Sequence, residues 1–172
     1  MKVNELIKSI KEIHDTKELQ ELKKMYINYF KEYHNMTKNP IIAMFSNKMT
    51  DYNEVYADEM LYRIRHDDYV GYAYYEGDSD LVGFISGRYD YADRGWISHF
   101  YVKRMDLNSA YEKKIAFELF KEISLEFKRM GLTKVATEVN KREYSYRDIL
   151  YSLNFDEIEE YDNGVIDFGR EL

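Results

Sequence analysis

The residues of this chain that could move a proton or hold an anion fall in three places. In WISHFYV, Ser98 and His99 stand side by side. An imidazole with an ordinary pKa of about 6.5 can relay a proton near neutral pH. Neighbours in a regular strand point to opposite faces, so only one of the pair enters a cleft on a given side unless a β-bulge intervenes. In ILYSLNF, Tyr151 offers a phenol of pKa about 10, able to protonate a departing anion such as a thiolate. The third place is the passage from Val102 into the next helical pattern. A helix opening presents unbonded N–H groups and the positive end of a dipole, and Lys103, Arg104, Lys113 and Lys114 add charge around it. Such an opening can hold a phosphate or pyrophosphate. P-loop, dinucleotide glycine, zinc-protease, nucleophile-elbow and EF-hand motifs are all missing.

Composition narrows the chemistry further. With no Cys among 172 residues, disulfides, thiolate metal sites and cysteine nucleophiles are excluded, and four scattered His argue against a metal centre. The 32 acidic against 25 basic residues leave a net charge of −7, which disfavours a nucleic-acid partner and favours a small cationic one. No apolar run approaches the roughly 20 residues that span a bilayer. The start MKVNELIKSIKEIHD interrupts the apolar stretch a signal peptide needs, so a cytoplasmic protein without membrane contact is expected. The chain is 45% hydrophobic, with one Pro and eight Gly, which suits one core and one domain over residues 1–172. A homodimer is left open.

Elements must position these groups. LIKSIKEI, Leu6 to Ile13, is expected as a strand. Asp15 and Glu18 have capping-box spacing, and Leu19, Leu22, Met25, Tyr26, Tyr29, Phe30 and Tyr33 then recur as one face of a helix ending near His34. Residues 36–49 lack periodicity and are expected to be an irregular connection. A second helix is expected over Asp51 to Arg65, with Val55, Leu61 and Ile64 on its apolar face. Tyr69–Tyr75, Leu81–Tyr89 and Trp96–Val102 form closely spaced, antiparallel strands. Ser109 and Glu112 again have capping-box spacing, and a long helix follows to Met130, with Ile115, Ala116, Leu119, Phe120, Ile123, Phe127 and Met130 inward and Gly131 as its stop. LTKVATEV is a strand, Tyr146–Leu153 a short helix capped by Ser145, and FDEIEEY and VIDFGREL two closing strands. The whole is an α+β domain: a mixed, largely antiparallel sheet flanked by helices, with one β-helix-β crossover.

The order of elements, with YYEGDSDLVGFISGRY, ISHFYV, MGLTKVATEVN, LYSLNF and VIDFGREL, resembles the GCN5-related N-acetyltransferases (GNAT) over about 90% of the chain. That resemblance implies transfer of an acetyl group from acetyl-CoA to a primary amine of a small molecule or protein. It assigns the main chain of Phe100, Tyr101 and Val102, together with Asn140 after the fifth strand, to the pantetheine arm beside a splay between two strands. The competing role for Asn140 is capping the turn that follows. The family's CoA loop, [RQ]-x-x-G-x-[GA], lacks its glycines here. Counting back from Gly131 sets Tyr111, Lys114 and Ala116 on the loop, with Lys113 beside them; counting forward from Val102 sets Leu107, Asn108, Ala110 and Glu112 there instead. The family's proton-donating tyrosine falls on Leu150, next to Tyr151, while His99, Ser98 or a water would take the amine proton. The missing glycines also fit a domain of this fold that senses a ligand or binds a partner without catalysis.

Overall fold

Asp15 opens the first long helix as its spacing predicts: its Oδ1 accepts a hydrogen bond from the Glu18 N–H at 3.0 Å. The Glu18 carboxylate is drawn away from the reciprocal half of the box by Lys8 and the Tyr75 hydroxyl. The computed structural model describes residues 5–36, 50–66, 69–77, 80–90, 93–103 and 110–172. Its elements are β1 (Glu5–Ser9), a 3₁₀ turn (Ile10–Glu12), α1 (Thr16–Met36), α2 (Thr50–His66), β2 (Tyr69–Glu76), β3 (Asp80–Asp90), β4 (Arg94–Val102), α3 (Ala110–Arg129), β5 (Lys134–Asn140), α4 (Tyr144–Ser152), β6 (Asp156–Glu160) and β7 (Val165–Glu171). The expected connection at residues 37–49 and the Ser109 cap lie outside the described residues.

One seven-stranded sheet runs in the order β1-β2-β3-β4-β5-β7-β6. All neighbours are antiparallel except β4 and β5, which are parallel because α3 carries the chain back across the sheet between them. Beneath α1 and α2 lie Ala73, Tyr75, Leu81, Phe84 and Tyr101; on the opposite face Ile85, Phe100, Val102, Val135, Val139 and Phe168 pack with α3 and α4. α3 sits tightly on the sheet because β4 has glycine where its ring lands: a Cβ on Gly95 would stand 2.1 Å from the Phe127 ring. Two helices end in the same way. Gly131 takes φ +85° after α3, and Asn154 takes φ 62° after α4. In both, the next N–H reaches back five residues, Leu132 to Phe127 at 3.1 Å and Phe155 to Leu150 at 2.9 Å, closing Schellman caps.

Several expectations shift. β1 stops at Ser9, and the 3₁₀ turn that follows helps bury both Ile10 and Ile13. Val55 is 59% exposed; the inward face of α2 is Asn53, Ala57, Met60, Leu61 and Ile64. Met130 lies beyond the last turn of α3 and is exposed. α4 begins at Tyr144, so Ser145 belongs to its first turn and is not its cap; Glu143 holds that place.

Candidate functional site

The β4–β5 ladder is short. It runs from Arg94↔Lys134 to Ile97↔Thr137 and stops, while β4 continues to Val102 and β5 to Asn140. Beyond Ile97 the strands therefore part, and the β4 main chain through Phe100, Tyr101 and Val102 stays paired only with β3. At the apex of this opening the Thr137 hydroxyl donates to the Ile97 carbonyl at 3.0 Å. Strand backbone unpaired on one side is a template for any extended, amide-bearing chain.

A β-bulge lies at the same point. Ser86 pairs with His99 and Gly87 with Ile97, so Ser98 is the extra residue of β4. The bulge overturns the alternation expected for a regular strand: Ser98 and His99 both line one cavity of about 260 Å³ on the α1/α2 face. Its other walls are Tyr29 and Phe30 of α1, Tyr56 of α2, Trp96 and Ile97 of β4, and Glu138 of β5. Tyr29 and Phe30 meet the imidazole edge-on, each at 5.3 Å between centroids. Burial among them pulls the His99 pKa down to about 4, so the ring is neutral at pH 7. The Tyr26 hydroxyl donates to Ser86 Oγ at 3.0 Å, and Ser86 Oγ lies 3.4 Å from His99 Nδ1. Partial burial, then the negative charge of Asp167, hold the Glu138 carboxyl above its ordinary range.

The other face of the opening is built differently. The Tyr146 ring stacks on Phe100 at 5.2 Å, and its hydroxyl lies 3.2 Å from Thr137 Oγ1. Since the Thr137 proton is directed at Ile97, Tyr146 is the donor in that pair. Burial raises the Tyr146 pKa above the phenol range and keeps the proton on oxygen. Tyr151, singled out from sequence, stands elsewhere. It is 45% exposed, its ring meets Phe168 edge-on, and its hydroxyl donates to Glu157 of β6. Since β7 and β5 intervene, with strands about 4.8 Å apart, that hydroxyl is directed away from the opening. Helix phase is the reason: Leu150, one residue earlier, is the position turned fully into the core.

The remaining sequence candidates divide. Phe100, Tyr101 and Val102 lie along the opening. Asn140 ends β5 at its rim, where its Oδ1 accepts from the Arg142 N–H at 3.0 Å and its N–H donates to Glu143 at 2.9 Å. Its side-chain oxygen thus performs the turn-capping role. Lys113 and Lys114 are exposed in the first turns of α3. Ala116 is nearly two turns inside the helix and fully buried, so its N–H belongs to the helix ladder. Tyr146, Glu138 and the aromatic walls escaped sequence reasoning. The one signal for Glu138 was a lone carboxylate inside the otherwise weakly polar KVATEVN strand.

Neither a protein-family model nor a curated protein matches this chain. Solved structures do. PaiA N-acetyltransferase from Thermoplasma acidophilum, in complex with coenzyme A, superposes with TM-score 0.68 at 17% identity, covering 97% of this chain and 99% of that one. A GNAT-family acetyltransferase from Staphylococcus aureus Mu50 gives 0.69 at 13% identity over 97% and 99%. Aminoglycoside 6'-acetyltransferase type Ii gives 0.67 at 14% identity over 96% of both chains. At such identities the likeness is one of architecture, and it defines a class: this chain has the GNAT fold, a mixed and largely antiparallel sheet flanked by helices.

Proposed function

We propose that this chain, as a single domain, is an N-acetyltransferase that uses acetyl-CoA as acyl donor and a primary amine as acceptor. The observation that carries the reading is the β4–β5 opening with a proton-handling group on each side, Tyr146 towards α4 and His99 towards α1. The residues present suit the donor. The unpaired edge of β4 at Phe100 to Val102 can hydrogen-bond an extended diamide arm, and the start of α3, with Lys113 and Lys114, can face its phosphates. Acetyl-CoA would supply the acetyl group as a thioester. The chain's own part is fourfold: to hold the arm extended, direct main-chain N–H groups at the carbonyl oxygen, seat the amine in the aromatic cavity and handle two protons. In the transfer a bond forms from amine nitrogen to carbonyl carbon, the carbon–sulfur bond breaks, one proton leaves nitrogen and one reaches sulfur. His99 is neutral and can accept a proton, directly or through water held by Ser98; for Nε2 to accept, Nδ1–H must face Ser86. Tyr146 replaces Tyr151 as the phenol at the opening.

Calorimetric titration with acetyl-CoA and with CoA, followed by an acetylation assay on a panel of amines, tests the reading. Micromolar binding of both nucleotides and acetyl transfer to at least one amine are expected. No binding at millimolar acetyl-CoA overturns it; binding without transfer to any amine leaves the ligand-sensing alternative that the missing loop glycines suggest.

A further inference from the structure

The aromatic cavity opens beside a row of carboxylates that acetyl transfer alone does not require. Glu138 of β5 is the register partner of Asp167 on β7, and Asp167 is the partner of Glu159 on β6. Register partners share a face of the sheet, so the three acids stand in single file across neighbouring strands, about 5 Å from one to the next. Their face is the one that carries the cavity: Glu138 lines the cavity wall, and its carboxyl responds to the charge of Asp167. Tyr161 bridges the far end, donating to Asp167 Oδ2 at 2.9 Å and facing Glu159 as well. Among the described residues, the core buried under α1 and α2 takes its sheet side chains from β2, β3 and β4 and none from the strands of the row. Among the described residues no Lys or Arg forms an ion pair with Glu138, Asp167 or Glu159; nearby Lys141 pairs with Glu160 and Arg147 with Glu157.

We infer that the acceptor is a linear polyammonium, whose reacting end occupies the cavity walled by Tyr29, Phe30, Tyr56 and Trp96 while its further ammonium groups lie along Glu138, Asp167 and Glu159. Aromatic faces attract an alkylammonium, and a neutral His99 places no like charge beside it. Spacing argues for the linear shape. At ordinary covalent bond lengths, three methylenes separate two nitrogens by about 5 Å and four by about 6 Å, close to the interval between successive acids. A protein lysine brings one ammonium and leaves Asp167 and Glu159 without a counter-charge. A branched or ring-based polycation spreads its charges sideways, away from a single file. The fate of the bound amine rests on the acetyl-transfer reading; its capture does not.

The test separates the two. Calorimetry on the full chain without nucleotide, using a linear triamine, a diamine and a straight-chain monoamine, is expected to rank them in that order, with the triamine at least tenfold tighter than the monoamine and weakening steeply with salt. Asp167→Asn and Glu159→Gln should each reduce triamine affinity several-fold more than monoamine affinity. Equal affinity for triamine and monoamine, or triamine affinity untouched in both variants, overturns the inference. With saturating acetyl-CoA added, a triamine that binds but is never acetylated refutes transfer and sustains the row. Acetylation of monoamine and triamine with equal kcat/KM refutes the row and sustains transfer.

Discussion

The α1/α2 face of the sheet has two halves made by the same strand alternation and put to opposite uses. Over β2, β3 and β4 it is roofed by helices, and its inward residues are Ala73, Tyr75, Phe84 and Tyr101. Over β5, β7 and β6 the corresponding positions are Glu138, Asp167 and Glu159. The boundary between a dry half and a charged half is the β4–β5 opening, where aromatic walls meet the first carboxylate. A cationic amine is favoured at such a boundary, because it needs apolar contact for its methylenes and an anion for its charge.

The largest expected contrast is in stability. Phe84 is fully buried and stacks on Tyr26 at 3.9 Å, so Phe84→Ala should cost about 3–5 kcal/mol. Glu159→Ala, on the open half, should stay within about 0.5 kcal/mol. Urea midpoints for the two variants measure the contrast, and similar losses would dissolve it. Next comes pH. His99 titrates at about 4 when folded, against 6.5 ordinarily, so between those values the unfolded chain binds a proton that the folded chain refuses. Stability is therefore complete above about pH 6.5 and declines as pH falls towards 4, by roughly 3 kcal/mol at most. His99→Gln should flatten that part of the profile; parallel profiles for variant and parent would place the imidazole in water.

Smaller effects concern the opposite side of the opening. Tyr146→Phe should lower turnover about tenfold to a hundredfold with acetyl-CoA affinity nearly kept, whereas Tyr151→Phe should change turnover less than about twofold. The reverse ranking would return the proton to Tyr151. Last, replacing Lys113 and Lys114 together with Ala should weaken acetyl-CoA binding several-fold and reduce its salt dependence while Tm stays put. An unchanged salt slope would move the phosphates away from the start of α3.

Features decided within a few residues were legible in the sequence. The Asp15 cap, the Gly131 stop and the run of three antiparallel strands each depend on local spacing or on one backbone preference. Phe100 to Val102 were assigned to a splay between strands by the resemblance to the GNAT family, and local spacing carried no sign of it. What stayed hidden depends on distant partners. Tyr146 differs from Tyr151 only through the helix phase that core packing selects, and Glu138, Asp167 and Glu159 become neighbours only once β7 inserts between β5 and β6. Val55 was misplaced for a related reason: α2 turns the polar Asn53 inward, which hydrophobic periodicity cannot foresee.

The bulge at Ser98 also sets a strict length rule for the chain. Downstream of it, His99 and Tyr101 face α1 while Phe100 and Val102 face α3. Deleting Ser98 alone would leave Ile97 opposite Gly87 and His99 opposite Ser86, so all four side chains would keep their faces, whereas deleting Phe100 would turn Tyr101 and Val102 over and exchange them between the two cores. In this strand Ser98 is therefore the position whose loss spares both cores and acts on the opening alone, while a deletion further along disturbs the packing on both faces.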